Sequence, residues 1–303
     1  NQALAHAQRL VVDSPAAARA QLAEILRVVP QQPEALRLRA VLDAREGRIN
    51  DALAGWRAAL RGDPYLPQAW RQLADQLLAA GDTASAAATY LQHVQHSQRD
   101  PVLLRAAHAL AQNQLPAAEQ LLRAQLKRAP TDVAAMRMLA ELAERLGRHE
   151  DAEALLERCL ELAPDFHAAR HNYALVLHRG NRGPEALQQI EQLLRGQPTL
   201  SGLLNLKAGI LCRVGDYPPA IDIYERVLQT HPDQAQVWMS FGHALKTSGE
   251  QARSIEAYRR SLALEPAYGE AWWSLANLKT VRFDASDIAQ MQSALQRTDL
   301  PLE

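Results

Sequence analysis

Cysteine and aromatic rings are scarce in this sequence, no charge sign dominates, and no long apolar run occurs; each shortage closes off a class of protein. Two cysteines in 303 residues, Cys159 and Cys212, are too few for a disulfide scaffold and cannot supply a four-ligand structural zinc site. A reducing compartment is the default, and a cytoplasmic location is expected. The 33 Lys+Arg against 34 Asp+Glu leave a formal net charge of -1, which removes the global electrostatic case for a nucleic-acid or membrane-surface protein. No apolar stretch approaches the ~20 residues that span a bilayer, and the first 30 residues lack the layout of a signal peptide. Phosphate loops, dinucleotide fingerprints, H-E-x-x-H and G-x-S-x-G are all missing. No catalytic residue, bound metal or cofactor is therefore expected in this chain. It opens on Asn1 instead of Met, as a fragment does, and the closing Leu302-Glu303 reads as a vector remnant.

What the sequence does contain is repetition. Prolines stand at Pro30, Pro64, Pro130, Pro164, Pro198, Pro232 and Pro266, spaced by 34 except for one gap of 66. Seventeen residues before these prolines come Gly47, Gly147, Gly215 and Gly249, with Asn113 and Asn181 at the same phase, and Gly81 stands seventeen before Gln98 in the repeat that lacks its proline. Gly and Asn are the residues that end helices most readily in the left-handed conformation. Five residues further on stand Ala52, Ala86, Ala118, Ala152, Ala186 and Ala220, with Ser254 in the last copy, small enough for two helices to approach closely. Each period thus predicts a helix, a short break, a second helix and a proline stop. Pro116, Pro184 and Pro218 begin second helices, where the first-turn amides have no intrahelical partner to lose. Trp70, Leu73, Ala74 and Leu77 show the apolar face of a first helix, and Trp238, Phe241, Gly242 and Leu245 repeat it. Second helices answer with Trp56, Tyr90, Leu122, Leu156, Ile190, Tyr224 and Tyr258 at one phase. No segment alternates as a strand would.

The combination of Trp70, Leu73-Ala74, Leu77, Gly81, Ala86 and Tyr90, and its better copy from Trp238 to Pro266, resembles the tetratricopeptide repeat, a helix-turn-helix unit of 34 residues. The resemblance implies an all-α solenoid, a superhelix of about eight to nine repeats over residues 1–283. Repeats are expected to end near Pro30, Pro64, Gln98, Pro130, Pro164, Pro198, Pro232 and Pro266, with a capping helix or linker over 284–303. The repeat ending at Gln98 is two residues short and lacks its proline, so an irregularity is expected near Asp100-Pro101. The repeat beginning near Gly269 keeps Trp272, Leu275 and Ala276 and loses the pattern after Lys279.

In the resembling family the first helices line a concave inner surface, so their polar residues are the binding candidates. Arg145, Arg179 and Arg213 recur every 34 residues, with Arg45 at their phase. Arg37, Arg71, Arg137 and His171 share a second phase, and Asn205 adds an amide. Aligned guanidinium groups suit carboxylates or phosphates, whereas Lys lacks that bidentate geometry. The same arginines have a second use, because a cation in a last helical turn is favoured by about 0.3–1 kcal/mol by the dipole alone. Asp75 four residues after Arg71, and Glu141 between Arg137 and Arg145, also offer intrahelical partners. Near the end, Trp273 and Asn277 face inward if Trp272 is the packed member of its pair. His167, His171 and His178 fall near one helical face, yet no further ligand is fixed for a metal. Cys159 reads as a buried small hydrophobe.

The expectation is a non-enzymatic scaffold that binds a protein or peptide partner, acidic in character, and neither nucleic acid nor membrane. The atypical first pair offers an end through which a homodimer can form. One alternative comes from residues 269–295, which resemble the last repeat and connecting helix of bacterial arrays that precede a sulfotransferase domain. That resemblance implies a substrate-recognition array whose catalytic domain is not in this chain.

Overall fold

The computed structural model describes residues 2–66 and 68–296, so Leu302-Glu303 and the tail of the 284–303 segment lie outside the described residues. Among the described residues the chain is helical and contains no strand. It divides into two compact units, Asn1–Val176 and Leu177–Glu303.

In the first unit the helices come in pairs: α1 (Gln2–Asp13) with α2 (Pro15–Val28), α3 (Pro33–Arg45) with α4 (Ile49–Gly62), and α5 (Ala69–Ala79) with α6 (Thr83–His96). Then follow α7 (Pro101–Ala111) with α8 (Leu115–Arg128), α9 (Val133–Arg145) with α10 (His149–Leu162), and α11 (His167–Arg179), which runs past the end of the unit. The second unit holds α12 (Gly183–Gly196), the pair α13 (Ser201–Val214) and α14 (Tyr217–Thr230), the pair α15 (Ala235–Thr247) and α16 (Gln251–Leu264), and finally α17 (Gly269–Asn277) and α18 (Ala285–Leu295). Partners within a pair pack most closely, and within the units α2 also leans on α3, α4 on α5, α8 on α9, α12 on α13, α14 on α15 and α16 on α17.

The breaks have a direct cause in the chain. Gly47, Gly81, Gly147, Gly215 and Gly249 all take a positive φ, and Asn113 (φ 54) and Asn181 (φ 59) do the same, so the backbone turns left-handed once per repeat and the helix ends there. Between repeats a second device recurs. The indole Nε1 of Trp70 donates to the Pro64 carbonyl at 2.8 Å, Trp238 to Pro232 at 2.8 Å, and Trp272 to Pro266 at 2.9 Å. Arg170 makes the equivalent bond to Pro164. A ring that packs against the repeat thus also satisfies a carbonyl at the close of the preceding one.

Small-on-large packing holds each pair together. Ala106 and Leu122 share one core cluster, and Ala208 and Tyr224 share another. Gly242 carries this to its limit, since a Cβ there would stand 2.5 Å from Tyr258 Cε1. Only hydrogen fits.

The expected irregularity is a short 3-10 turn, Ser97–Arg99, followed by Asp100, whose carboxylate caps α7 through the Val102 amide at 2.8 Å. Here α6 reaches past its neighbour to touch α9 and α10. A buried network closes the gap. His93 Nε2 lies 2.9 Å from Asp132 Oδ1, Gln125 donates to Asp132 Oδ2 at 2.8 Å, and the Ala135 amide donates to Oδ1 at 3.1 Å. Beside it, Thr131 and Tyr90 both donate to Asp75 Oδ1, at 2.5 and 2.7 Å.

Burial raises the Asp132 carboxyl, but the hydrogen bonds from His93, Gln125 and Ala135 outweigh it and leave the group below the usual carboxylate range. Its stabilising contribution is therefore complete above the carboxylate's unfolded value and disappears as pH falls through the lower folded one. Asp132→Ala is expected to lower the unfolding free energy by about 3 kcal/mol at neutral pH in urea titrations, and to flatten the acid limb of the stability curve. A variant with wild-type stability and an unchanged acid limb would show that the network is not a fastening.

Candidate peptide-binding surface

The proposed binding residues do not form one uniform wall. In the first unit most of the guanidinium groups already have carboxylate partners. Arg37 is only 9% exposed; it binds both Glu34 oxygens and donates to Gln72 at 3.1 Å. Arg71 is held by Asp75 at 2.5 Å and by Gln68 at 2.8 Å. Arg137 and Arg145 share Glu141, at 3.5 and 2.7 Å. His171 is half-buried.

The Arg45 phase has a further structural use. Arg45 Nη1 donates to the Val11 carbonyl at 2.6 Å, Arg145 Nη1 to Leu110 at 2.8 Å, and Arg213 Nη1 to His178 at 3.4 Å. Each accepting carbonyl lies in the last turn of the preceding first helix, where no intrahelical partner exists. The 34-residue recurrence of these arginines thus coincides with a recurring cap supplied from the next repeat.

The second unit is different in character. Around the end of α11, His178 lies within the fields of Arg213 and Arg179. Burial, then the Arg213 charge, then the Arg179 charge, push the imidazole below the usual histidine range. Arg213 is exposed, and Arg179 is itself engaged. His178 Nδ1 and Asn205 Oδ1 are buried atoms without a hydrogen-bond partner among the described residues. His178 and Arg179 close α11, and Asn205 and Arg213 stand on α13, with hydrogen-bonding capacity unspent at His178 Nδ1 and Asn205 Oδ1. The sequence groups His178 with His167 and His171 as a metal face lacking a further ligand, and no spacing in it signals that the charges of Arg179 and Arg213 act on this imidazole.

At the far end, Trp272 is the packed member of its pair, with its ring edge-on to Phe283, while Trp273 is 63% exposed and Asn277 is exposed. Neither touches the Arg179 and Arg213 positions by any recorded bond. Among the described residues no group of three or more His, Cys, Asp or Glu converges for a metal. Cys159 is fully buried, donates to the Val133 carbonyl at 3.4 Å, and burial pushes its thiol up to about 12. Cys212 is half-buried, and burial raises its thiol as well. Neither is a nucleophile at neutral pH.

One charged cleft escaped the sequence reading. A 510 Å³ depression in the first unit is lined by Arg19, Arg39, Arg48 and Arg61 together with Asp43 and Asp51. Its residues come from several helices at unrelated phases, so no spacing in the sequence announces it. Arg19 and Arg48 both close on Asp43, at 3.0 and 2.7 Å, which spends much of its charge internally.

Comparison with known proteins agrees with the helix pairs. Residues 109–165 and 145–210 match one family model described as tetratricopeptide repeat, and residues 235–268 match a second with the same description. Those segments are tetratricopeptide repeats. Among solved structures, MamA 41-end from Desulfovibrio magneticus RS-1 superposes with a TM-score of 0.51 at 14% identity, covering 55% of this chain and 94% of that one. The MamA RS-1 ArsTM double mutant gives 0.50 at 15% identity, covering 54% and 92%. A tetratricopeptide repeat protein from Parabacteroides merdae ATCC 43184 covers 88% of this chain and 100% of its own, at 15% identity and a TM-score of 0.45. At these identities the MamA likeness is one of fold. No curated protein matches the sequence. No helix among the described residues is long and apolar enough to cross a membrane.

The His178 environment makes a direct prediction. In an NMR titration its midpoint is expected below that of an exposed histidine, and Arg213→Gln is expected to raise it, since one of the two charges that oppose protonation is gone. A midpoint unmoved by that substitution would place the guanidinium too far away to act.

Proposed function

We propose that this chain is a non-catalytic protein-interaction scaffold whose second unit binds an acidic peptide segment through Arg179, Asn205, Arg213 and His178. What supports this reading is the place of Arg179 and Arg213, near enough to His178 to add to the effect of burial in opposing its protonation, together with the unsatisfied Nδ1 of His178 and Oδ1 of Asn205: an incoming carboxylate meets both charges there. Asn205 supplies an amide, whose donor and acceptor suit a peptide backbone. In the first unit Arg37, Arg71, Arg137 and Arg145 share their charge with Glu34, Asp75 and Glu141, so a partner there, His171 included in its reach, competes with internal pairs and gains less. Trp273 and Asn277 are assigned a separate contact, with the indole as an apolar anchor. Two free thiols favour a reducing, cytoplasmic setting. The sulfotransferase-linked alternative rests on the 269–295 resemblance alone, and no feature of the site favours it.

The test is fluorescence anisotropy with a labelled glutamate-rich decapeptide. Binding is expected to weaken steeply as salt rises, because exposed charges are screened over about 8 Å at physiological ionic strength. Arg179→Glu and Arg213→Glu are each expected to cost about tenfold or more in affinity, and the His178 midpoint is expected to rise on binding. Unchanged affinity in both charge reversals would remove this site.

A further inference from the structure

The last repeat is missing the helix that every earlier pair relies on. Sixteen residues after the small residue of each first helix stands the bulky residue that covers it: Trp56 after Ala40, Tyr90 after Ala74, Leu156 after Ala140, Tyr224 after Ala208 and Tyr258 after Gly242, all buried. At the end of the chain the small residue is Ala276 and the position sixteen further on is Gln292. Both are exposed. The neighbouring position changes too: Met239, 2% exposed, is covered jointly by Tyr258 and Leu262 of its own second helix and by Ala271, Trp272 and Leu275 of the next first helix, whereas Trp273, one period later, is 63% exposed.

The cause lies in α18. It begins one period after α16, where a second helix belongs, but the residues that face inward have changed. Ser254 and Ser261, fully buried in α16, correspond to Ile288 at 49% and Leu295 at 85% exposure. Among its described residues α18 buries only Asp287, which Arg259 of α16 grips with both guanidinium nitrogens. Met291 of α18 packs, partly buried, against the cluster that holds Tyr258, Trp272 and Leu275, but the helix leaves the side of α17 with Trp273 and Ala276 uncovered. One face of α17, carrying Trp273 and Ala276, is thus open, and the fold itself specifies the shape that fills it: a helix presenting a bulky apolar side chain to Ala276.

We propose that this open face of α17 is a docking seat for an acidic amphipathic helix of a partner protein, which takes the place of the missing second helix. The sign of the charge comes from the exposed Lys279 and Arg282, which follow directly on α17. The nearby carboxylates are committed elsewhere, Asp284 to the α18 cap and Glu270 to His243 at 3.4 Å. Trp273, in the line of the incoming helix, supplies the apolar anchor. The seat rests on the Trp273 contact proposed above and gives it an occupant, but it uses neither Arg179 nor Arg213, so failure of the peptide site and failure of the seat are distinguishable.

Two labelled peptides taken from this chain's own second helices test it on the full chain. One copies α10, His149–Leu162, with Cys159→Ser; it carries five carboxylates and presents Leu156. The other copies α16, Gln251–Leu264, with one carboxylate and three arginines. The α10 peptide is expected to bind saturably and about tenfold more tightly than the α16 peptide, and Leu156→Ala in the peptide is expected to lose most of that affinity. Because Ala276 is exposed, Ala276→Arg leaves helix content and melting temperature unchanged while weakening binding by about tenfold or more. Trp273→Ala gives a loss in the same direction. Lys279→Glu with Arg282→Glu removes the preference for the acidic peptide, and Arg213→Glu leaves the binding as it was. Absence of saturable binding by either peptide, or full binding to the Ala276→Arg chain, overturns the seat. Sedimentation showing a concentration-dependent dimer that Ala276→Arg dissociates would overturn the partner helix as occupant, since a second copy then covers the face.

Discussion

Close approach of two helices over a small residue is the constraint on which the rest of this protein depends. Alanine at positions 40, 74, 140 and 208, and glycine at 242, let the second helix lay a large side chain directly onto the first. A pair built this way hides only one face of each helix, and the remaining apolar stripe must be covered by the next pair. Stability is thus local and additive, distributed among several clusters such as the one around Leu122 and the one around Tyr224. Where the cover is withheld, as at Ala276, the surface that results has a shape fixed by the repeat and not by chance.

The architecture was almost fully legible in the sequence, because its causes are short-range and periodic. Proline spacing, the left-handed glycines and asparagines, and the small-large pairing each survive as residue types at fixed offsets. Even the irregular repeat announced itself through a missing proline. The network that repairs it was not readable. His93, Gln125 and Asp132 come from different helices, and their meeting is a consequence of the shortened repeat, not of any spacing among themselves.

The candidate site was legible only as a set of positions. Periodicity groups Arg37 with Arg71, and Arg45 with Arg145, but it carries no information on what each guanidinium does with its hydrogens. Glu34, Glu141 and the carbonyls of Val11 and Leu110 claim several of them. The sequence showed both possible uses of an arginine near a helix end; geometry shows that caps are made along the same row from which a binding surface would be drawn. Glu141 itself has no counterpart in the next two repeats, where the corresponding positions are Leu175 and Gly209.

The arginine caps give the chain a direction. Arg45, Arg145 and Arg213 each reach backward to finish a helix laid down one repeat earlier, so a repeat is complete only once its successor is in place. Removing repeats from the front leaves an arginine idle in water, which costs little, whereas removing them from the back strips the carbonyls of a helix that remains.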